Sequence, residues 1–223
     1  MVSQVQRDNS VQEHMDGIYR HQRYIYDLTR KFFLFGRDHL LDDLRPPGEG
    51  TVLEVGCGTG RNLILTARRY PDARLYGFDI SRMMLETAEQ NIKRVGFSDR
   101  IKVAEGDAAD FSAQSIFGTP HFDRVFISYA VSMIPPWQTA ISQAYAAVRP
   151  GGSLHIVDFG QPEELPTWCK RGLEAWRGKF SVTPRGDLEE EMKMVARADG
   201  GELFFNRLFR DYTHYGVLKK PVQ

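Results

Sequence analysis

The sequence has few cysteines, no excess of charge and no long apolar run, and each absence excludes a class of protein. Only two cysteines occur in 223 residues, without metal-ligand spacing. A disulfide at Cys57 would obstruct the glycine-rich loop around it, so Cys57 and Cys169 are interpreted as free thiols of a reducing cytoplasm. Basic and acidic residues number 29 each, so no global field recruits nucleic acid.

Signals for export, membrane insertion and repetition are also missing. The N-terminus lacks the apolar core of a signal sequence, and no apolar run approaches membrane-spanning length. No internal repeat or low-complexity tract occurs. The length predicts one domain over 1–223 with a sizeable core, and the residue spacing predicts no metal site.

What is present is a glycine-rich loop behind a short apolar run. Residues Thr51–Val55 are mostly apolar or β-branched, Glu54 is the acid among them, and Gly56, Gly58 and Gly60 follow on alternate positions. Helical spacing comes next. This order predicts a strand, a tight loop and a helix N-terminus, the first unit of an open α/β nucleotide-binding sheet. Glycine permits positive φ and close approach of a ligand, and the helix N-terminus offers free N–H groups.

Two details restrict the class of ligand that this loop can bind. The dinucleotide fingerprint needs its third glycine at position 61, which is Arg61 here. Glu54 stands two residues before the first glycine, where a carboxylate would repel a pyrophosphate and attract an α-ammonium group.

Two further acids end the next two predicted strands. Asp79 follows Gly60 by 19 residues and closes a second apolar run, where a carboxylate can accept two ribose hydroxyls. Asp107 ends the run over 101–108 and could accept an adenine amino group. Acids at the C-terminal ends of three successive strands suit a cationic ligand such as S-adenosylmethionine, which carries a sulfonium and an ammonium but no phosphate. The alternative is that the acids only cap helices or turns.

These residues, with Arg149–Gly152 before a fifth strand, resemble the motifs of the class I S-adenosylmethionine-dependent methyltransferases. The resemblance implies an α/β fold, a seven-stranded, mostly parallel Rossmann-like sheet with an antiparallel C-terminal hairpin and an N-terminal helical lid. It also implies S-adenosylmethionine as cofactor and S-adenosylhomocysteine as product. The implied cofactor-binding residues are Glu54, Gly56, Cys57, Gly58, Gly60, Asp79, Ile80, Asp107, Ala108, Ser128 and, by resemblance to quinone-biosynthesis methyltransferases, the lid residues Tyr26 and Arg30.

The predicted domain has three parts, a lid over 1–45, a cofactor-binding half over 46–160 and a C-terminal part over 161–223. Apolar residues at helical intervals predict helix within 11–35. The later elements predicted from pattern are strands over 122–128 and 153–159, helices after Pro136 and near 163–178 and 187–198, and a hairpin formed by 202–209 and 212–219.

The chemistry is expected in the segment after the fourth strand, Ser128–Met133. This segment lacks the Asn/Asp-Pro-Pro-aromatic motif of enzymes that methylate planar nucleobase or amide nitrogens. An aliphatic amine must lose a proton before methylation, and its methylated product is a cation that aromatic faces attract. Tyr129, with Tyr19 and Tyr24 of the lid, is therefore predicted to form the amine pocket, and a core role for each tyrosine is the alternative.

Two flanking stretches, Met15–Asp38 and Leu203–Gly216, resemble the betaine-lipid methyltransferases. That family methylates the amine of diacylglyceryl-homoserine three times to give the trimethylated lipid. An arginine can grip the carboxylate of such a head group with two parallel hydrogen bonds. Arg20, Arg23, Arg30 or Lys31 could supply the cation, and Arg23 is the predicted contact. The closing hairpin offers Tyr212, His214 and Tyr215 as further substrate contacts.

Several alternatives stay open from the sequence. A phospholipid N-methyltransferase acting on phosphatidylethanolamine, or a soluble small-amine methyltransferase, would carry the same cofactor motif. The sulfonium has other electrophilic carbons, so transfer of an aminocarboxypropyl group is a further alternative. A non-catalytic S-adenosylmethionine-binding module belongs to another class, because binding and catalysis share these residues. A lipid substrate predicts peripheral membrane contact on the cytoplasmic side, for which a basic, aromatic N-terminal helix is suited.

Overall fold

The structure is a computed structural model that describes residues 34–161 and 183–222. Seven β-strands in these ranges form one sheet. In chain order they are β1 (Thr51–Val55), β2 (Arg74–Asp79), β3 (Ile101–Glu105), β4 (Phe122–Ser128), β5 (Val148–Phe159), β6 (Glu202–Leu208) and β7 (Thr213–Lys219). Across the sheet the order is β3-β2-β1-β4-β5-β7-β6.

The first five strands run parallel and the last two run against them. β1 pairs in parallel with β2 and β4, β2 with β3, and β4 with β5, whereas β7 is antiparallel to both β5 and β6. The predicted seven-stranded sheet with an antiparallel C-terminal hairpin is therefore confirmed. The C-terminal ends of β1–β5 meet the start of β7 at one border of the sheet, here called the carboxyl edge.

Helices cover both faces of the sheet. They are α1 (Arg37–Asp43), α2 (Arg61–Arg69), α3 (Arg82–Arg94), α4 (Ala113–Phe117), α5 (Trp137–Ala146) and α6 (Leu188–Ala198). Buried side chains of α1, α2 and α3 pack in one apolar cluster, and those of α4, α5 and α6 pack in the other. We call these the α1 face and the α5 face. Because both faces are covered, the parallel strands are apolar on both sides rather than alternating with polar residues.

Local sequence signals explain where the helices at the carboxyl edge begin. Gly60 precedes α2 with φ of 72°, a conformation that glycine adopts without a steric penalty. Ser81 caps α3, since its hydroxyl accepts a hydrogen bond from the Met84 N–H at 3.4 Å. Both helices therefore direct their N-termini towards this edge, as ligand-binding α/β sheets require.

Several predicted boundaries need correction. β5 begins at Val148 rather than 153, so Arg149–Gly152 belongs to the strand, and the register with β4 shifts near Phe122. Asp107 lies two residues beyond the end of β3, in a turn bridged to Asp110. The helix near 187–198 is confirmed as α6.

Other predictions fall outside the described residues. These are the helices within 11–35 and near 163–178, together with Tyr19, Arg23, Tyr24, Tyr26, Arg30 and Cys169. Over 34–161 and 183–222, no helix combines the length and the apolar character needed to cross a bilayer.

Candidate functional site

The glycine-rich loop connects β1 to α2 at the carboxyl edge. Gly56, Gly58 and Gly60 have φ of 72°, 52° and 72°, all in the left-handed region. A Cβ atom on Gly56 would lie 2.9 Å from the Cβ of Ala130, which no packed structure tolerates. The loop thus lies directly against the segment that follows β4.

Asp79, at the tip of β2, holds this loop in place. Its Oδ2 accepts a hydrogen bond from the Gly58 N–H at 2.8 Å, and its Oδ1 accepts one from the Ser81 N–H at 3.0 Å. These two bonds fix the carboxylate at the tip of β2, beside the glycine-rich loop. The predicted position of Asp79 beside the loop agrees with the structure.

Glu54 lies behind the loop and is almost fully buried, with 1% of its surface exposed. Its Oε1 accepts a hydrogen bond from the Asn62 side-chain amide at 2.7 Å, which connects the end of β1 to the first turn of α2. The carboxyl group therefore lies at the base of the loop, next to the N-terminus of α2.

The third predicted acid, Asp107, forms a hydrogen bond within its own turn rather than with the glycine-rich loop. Asp107 Oδ1 accepts a hydrogen bond from the Ala109 N–H at 2.9 Å, so this carboxylate caps its own turn. Ala108 is buried and Ile80 is half-buried close to the tips of β3 and β2. These residues border the carboxyl edge on the far side of the loop from β4.

Cys57 is a free, buried thiol within the loop. Burial raises its pKa well above the usual value, and the negative charges of Asp79 and Glu54 raise it further. The thiol therefore stays protonated at neutral pH and serves as a packing group rather than as a nucleophile.

The segment after β4 begins with Ser128 and Tyr129, both buried. Tyr129 has φ of 55°, which is uncommon for a residue with a side chain. Its hydroxyl donates to the backbone carbonyl of Phe35 and lies 3.1 Å from the hydroxyl oxygen of Thr213. Burial raises the pKa of Tyr129 far above its usual range, so the phenol is neutral.

Five aromatic rings, that of Tyr129 among them, gather at the carboxyl edge. Ring centroids are 4.6 Å apart for Tyr129 and Phe159, 5.4 Å for Phe35 and Tyr212, and 5.5 Å for Phe35 and Phe209. Phe35 and Phe209 remain about half exposed, at 49% and 56%. We call this set the aromatic cluster: Phe35, Tyr129, Phe159, Phe209 and Tyr212.

The three hairpin residues that were predicted to contact substrate have three different surroundings. Tyr212 belongs to the aromatic cluster. Tyr215 lies three residues deeper in β7, where its hydroxyl donates to Asp43 Oδ2 at 2.8 Å and lies 2.9 Å from His155 Nδ1. Since three strand residues span about 10 Å, Tyr215 lies in the core under α1, away from Tyr212. His214 points to the α5 face, where its Nε2 lies 2.8 Å from Asp211 Oδ1.

The comparisons with known proteins address this geometry. Residues 52–152, which contain the loop, Asp79, Asp107 and Tyr129, match the family model of the methyltransferase domain. Just under half of the chain thus resembles a methyltransferase domain. The cofactor predicted from the sequence, S-adenosylmethionine, is consistent with this match.

Curated relatives match only part of this chain. A demethylmenaquinone methyltransferase of Bacteroides fragilis is 26% identical over 123 residues, 55% of this chain and 49% of that protein. A ubiquinone/menaquinone biosynthesis C-methyltransferase of Cereibacter sphaeroides is 27% identical over 174 residues, 75% of this chain and 66% of that protein. The chain thus spans about half to two thirds of the length of these relatives.

Solved structures agree on the fold. Phosphoethanolamine N-methyltransferase 2 of Haemonchus contortus, in complex with S-adenosyl-L-methionine, superposes with a TM-score of 0.70 at 16% identity, over 95% of this chain and 60% of that chain. At this identity the likeness concerns the fold alone.

The residues of the candidate site fit S-adenosylmethionine. The glycines let the loop pack tightly, because a Cβ at position 56 or 60 would lie 2.9 Å or 3.1 Å from the Cβ atom of a neighbouring alanine. Glu54 and Asp79 supply carboxylates on adjacent strands, which suits an ammonium and two hydroxyls better than a phosphate.

Sequence reasoning missed Phe35 as an aromatic contact, Thr213 and Asp158. Asp158 is almost fully buried near the end of β5, and its two oxygens accept hydrogen bonds from the Ser132 N–H at 3.0 Å and the Phe159 N–H at 2.7 Å. Burial raises the pKa of Asp158. An acid near the end of an apolar strand was the signal that identified Glu54 and Asp79, and it would have identified Asp158 as well.

Proposed function

We propose that the protein is an N-methyltransferase that methylates the amine of diacylglyceryl-homoserine stepwise to the trimethylated betaine lipid. The supporting observation is the aromatic cluster at the carboxyl edge. Phe35 comes from one of the two stretches that resemble betaine-lipid methyltransferases, and Phe209 and Tyr212 come from the other. Stretches that are far apart in sequence therefore meet beside the cofactor loop.

The cofactor-binding residues have separate tasks in this proposal. Glu54 attracts the ammonium group, Asp79 accepts the ribose hydroxyls, and Asp107 with Ala108 lies by the adenine. S-adenosylmethionine supplies an electrophilic methyl group on a sulfonium. The contact between Gly56 and Ala130 brings the loop against the segment after β4, so an acceptor at that segment would lie beside the methyl group.

The aromatic cluster suits an acceptor that becomes more cationic as it is methylated. A quaternary ammonium keeps its charge and cannot donate hydrogen bonds, and each aromatic face attracts it by roughly 0.5–2 kcal/mol. The half-exposed rings of Phe35 and Phe209 leave room for a ligand that arrives from solvent or from a bilayer. Buried Arg37, next to this cluster, supplies positive charge that acts on Tyr129 and favours an acceptor with a carboxylate.

A second candidate is C-methylation of an aromatic ring. The two curated relatives named above are, by their names, methyltransferases of quinone biosynthesis. A planar ring would also stack on the aromatic cluster, by about 0.5–1.5 kcal/mol per ring pair. This candidate differs chemically, because the acceptor atom is carbon and the product carries no permanent charge.

Label transfer distinguishes the candidates. Full-length protein is incubated with methyl-labelled S-adenosylmethionine and vesicles that contain diacylglyceryl-homoserine, and lipids are separated over time. The proposal predicts mono-, di- and trimethylated lipid in succession, and no label in vesicles that contain only the trimethylated lipid.

Parallel reactions use phosphatidylethanolamine vesicles and a demethylated menaquinol. Label in phosphatidylethanolamine alone would support the phospholipid alternative, and label in the quinol alone would support C-methylation. Release of methylthioadenosine in place of S-adenosylhomocysteine would indicate aminocarboxypropyl transfer. Each of these results, and cofactor binding without turnover on any acceptor, would refute the proposal.

A further inference from the structure

We propose that Asp158 and Arg185 are positioning residues, which hold the segment after β4 in place for methyl transfer. The inference rests on the proposed function, since the acceptor is expected to bind beside this segment. Both residues act through backbone groups of the segment rather than by touching the acceptor. Their task is therefore separate from that of Glu54 and Asp79, which are assigned to the cofactor.

The carboxylate of Asp158 connects two segments that border the acceptor side of the site. Its Oδ2 accepts a hydrogen bond from the Ser132 N–H at 3.0 Å, and its Oδ1 accepts one from the Phe159 N–H at 2.7 Å. Phe159 carries a ring of the aromatic cluster, which packs on Tyr129 at 4.6 Å between centroids. One side chain thus holds both the segment after β4 and the end of β5.

The segment after β4 crosses the carboxyl edge from one face of the sheet to the other. Tyr129 packs in the apolar cluster of the α1 face, whereas Ala130 packs in that of the α5 face. The Tyr129 hydroxyl anchors the first part of the segment through the Phe35 carbonyl. Asp158 anchors the second part through Ser132. The segment is therefore fixed on both faces of the sheet.

The surroundings of Asp158 suit an anchor. Side chains alternate along a strand, and Leu154 and Ile156 of β5 pack in the cluster of the α5 face, so Asp158 lies on that face as well. Only 1% of Asp158 is exposed. Burial raises the pKa of Asp158, while its two backbone donors and the charge of Arg185 act in the opposite direction and favour the carboxylate.

The residues before α6 hold the same segment from outside. The Thr183 N–H donates to the Ser132 carbonyl at 3.1 Å, so both backbone groups of Ser132 are hydrogen-bonded on this face. Arg185 Nη2 donates to the Ile134 carbonyl at 3.2 Å, and its guanidinium lies 5.7 Å from the ring centroid of Trp137 at the start of α5. Arg185 therefore anchors the far end of the segment.

The contact with the cofactor loop makes the position of this segment important for transfer. A Cβ on Gly56 would lie 2.9 Å from the Cβ of Ala130, so the segment lies directly against the loop. A displacement of about 1 Å between reacting groups can cost about 10²-fold in rate. The loop itself is held by Asp79, so release of the segment should slow transfer without releasing the cofactor.

The test compares Asp158→Asn with Asp123→Asn in the lipid-vesicle assay. An amide group offers one acceptor oxygen, so Asp158→Asn keeps at most one of the two backbone donors. Asp123 is a matched control, because it is also almost fully buried and accepts the Thr51 N–H at 2.8 Å, but near the opposite end of β4. Urea unfolding of both variants shows how much stability each has lost.

We expect kcat of Asp158→Asn to fall about 10- to 100-fold, and that of Asp123→Asn to stay within about twofold of wild type. Calorimetric affinity for S-adenosylmethionine should change less than about threefold in both variants. A purely structural role of Asp158 would instead lower activity only in proportion to the unfolded fraction. Equal kcat values for the two folded variants would overturn the proposal.

Arg185→Gln tests the same segment at a half-buried position, in case Asp158→Asn does not fold. Its kcat should fall about 3- to 30-fold with unchanged cofactor affinity. Arg100→Gln is the control, since Arg100 Nη2 donates to the Ala67 and Tyr70 carbonyls at 2.9 Å and 3.0 Å, away from the site. A kcat of Arg185→Gln equal to that of the control would count against the proposal.

Hydrogen exchange of the backbone amides gives a readout that needs no acceptor. Peptides that cover 128–134 should exchange about 10-fold faster or more in Asp158→Asn than in wild type, and at the wild-type rate in Asp123→Asn. If the wild type labels no lipid, the proposed function fails, and the exchange rates alone decide the inference. Faster exchange confined to Asp158→Asn supports it, whereas equal rates in the two variants overturn it.

Discussion

The hydroxyl of Tyr129 donates a hydrogen bond to the backbone carbonyl of Phe35, a residue 94 positions earlier in the chain. The Thr213 hydroxyl donates to the same carbonyl at 3.2 Å. One carbonyl oxygen thereby joins the segment after β4, the segment before α1 and the start of β7. The aromatic cluster depends on this junction, because each of the three segments contributes a ring to it or anchors one.

Removal of the Tyr129 hydroxyl should loosen this junction. Tyr129→Phe is expected to lower the free energy of unfolding by about 1–2 kcal/mol and to raise KM for the acceptor, with little change in cofactor affinity. Urea unfolding, calorimetry and steady-state kinetics measure the three quantities. Tyr70→Phe is the control, since its hydroxyl donates to the Leu41 carbonyl at 2.9 Å away from the site. Equal KM values for both variants would contradict the prediction.

Alanine substitutions at Gly56 and Gly118 distinguish two effects: the backbone strain of a positive φ and the steric clash of an added Cβ atom. Both have φ of 72°, but only at Gly56 would a Cβ meet a neighbour, at 2.9 Å from Ala130. Alanine at either position should cost about 1–2 kcal/mol of stability for the backbone alone. Gly56→Ala should cost more and should weaken S-adenosylmethionine binding in calorimetry, whereas Gly118→Ala should bind normally. Normal binding by Gly56→Ala would argue against the cofactor loop.

Asp79→Asn should weaken the cofactor more than it weakens the fold. The substitution removes a charged acceptor from the loop and from the predicted ribose position, so a 10- to 100-fold loss of affinity is expected, about 1.4–2.7 kcal/mol. Asp42→Asn removes one charge from an exposed pair with Arg69 at 2.6 Å and should leave the affinity unchanged. Calorimetric titration of both variants provides the measurement, and equal affinities would be the contrary outcome.

His155 should make stability fall in weak acid. Burial lowers its pKa from 6.5 to about 3. Below about pH 6.5, His155 therefore binds a proton in the unfolded chain but stays neutral in the folded chain. The free energy of unfolding declines by about 1.4 kcal/mol per pH unit from there towards pH 3. Urea unfolding of wild type and His155→Gln between pH 7 and pH 5 should show the smaller slope in the variant. Parallel slopes would mean that another group titrates.

Phe209 and Phe204 give a matched pair for the aromatic cluster. Both are about half exposed, at 56% and 49%, but Phe209 contacts Phe35 whereas Phe204 lies under the Lys219 ammonium at 4.7 Å. Phe209→Leu should raise KM for the lipid acceptor about 2- to 30-fold through the loss of one cation–π contact. Phe204→Leu should have no such effect. An increase in both variants would indicate general loss of membrane contact instead.

Local signals made the cofactor side of the site predictable. Glycines on alternate positions and acids at strand ends are adjacent in sequence to the elements that position them, so Glu54, Gly56 and Asp79 could be assigned to the loop before any contact was known. Asp107 shows the limit of the rule, since its carboxylate caps its own turn. A strand-end acid identifies the edge of the sheet but not the direction of its side chain.

The acceptor side was less predictable because it depends on contacts between distant segments. Nothing in the local sequence indicates that Phe35 meets Thr213 across 178 positions. The depth of a residue along a strand also decides its role: Tyr212 lies at the edge, and Tyr215 lies in the core beside His155. The composition of the hairpin predicted aromatic contacts, whereas the exact register of β7 decides which rings take part.

The interior position of β7 has a consequence for biosynthesis. Among the strands that the structure describes, β7 comes last in sequence, yet it lies between β5 and β6 in the sheet. A nascent chain that has emerged only as far as β5 would expose the edge of that strand, a surface that pairs readily with other polypeptides. The protein should therefore be vulnerable to aggregation during translation until β7 leaves the ribosome, and premature stop codons before Thr213 should yield insoluble product.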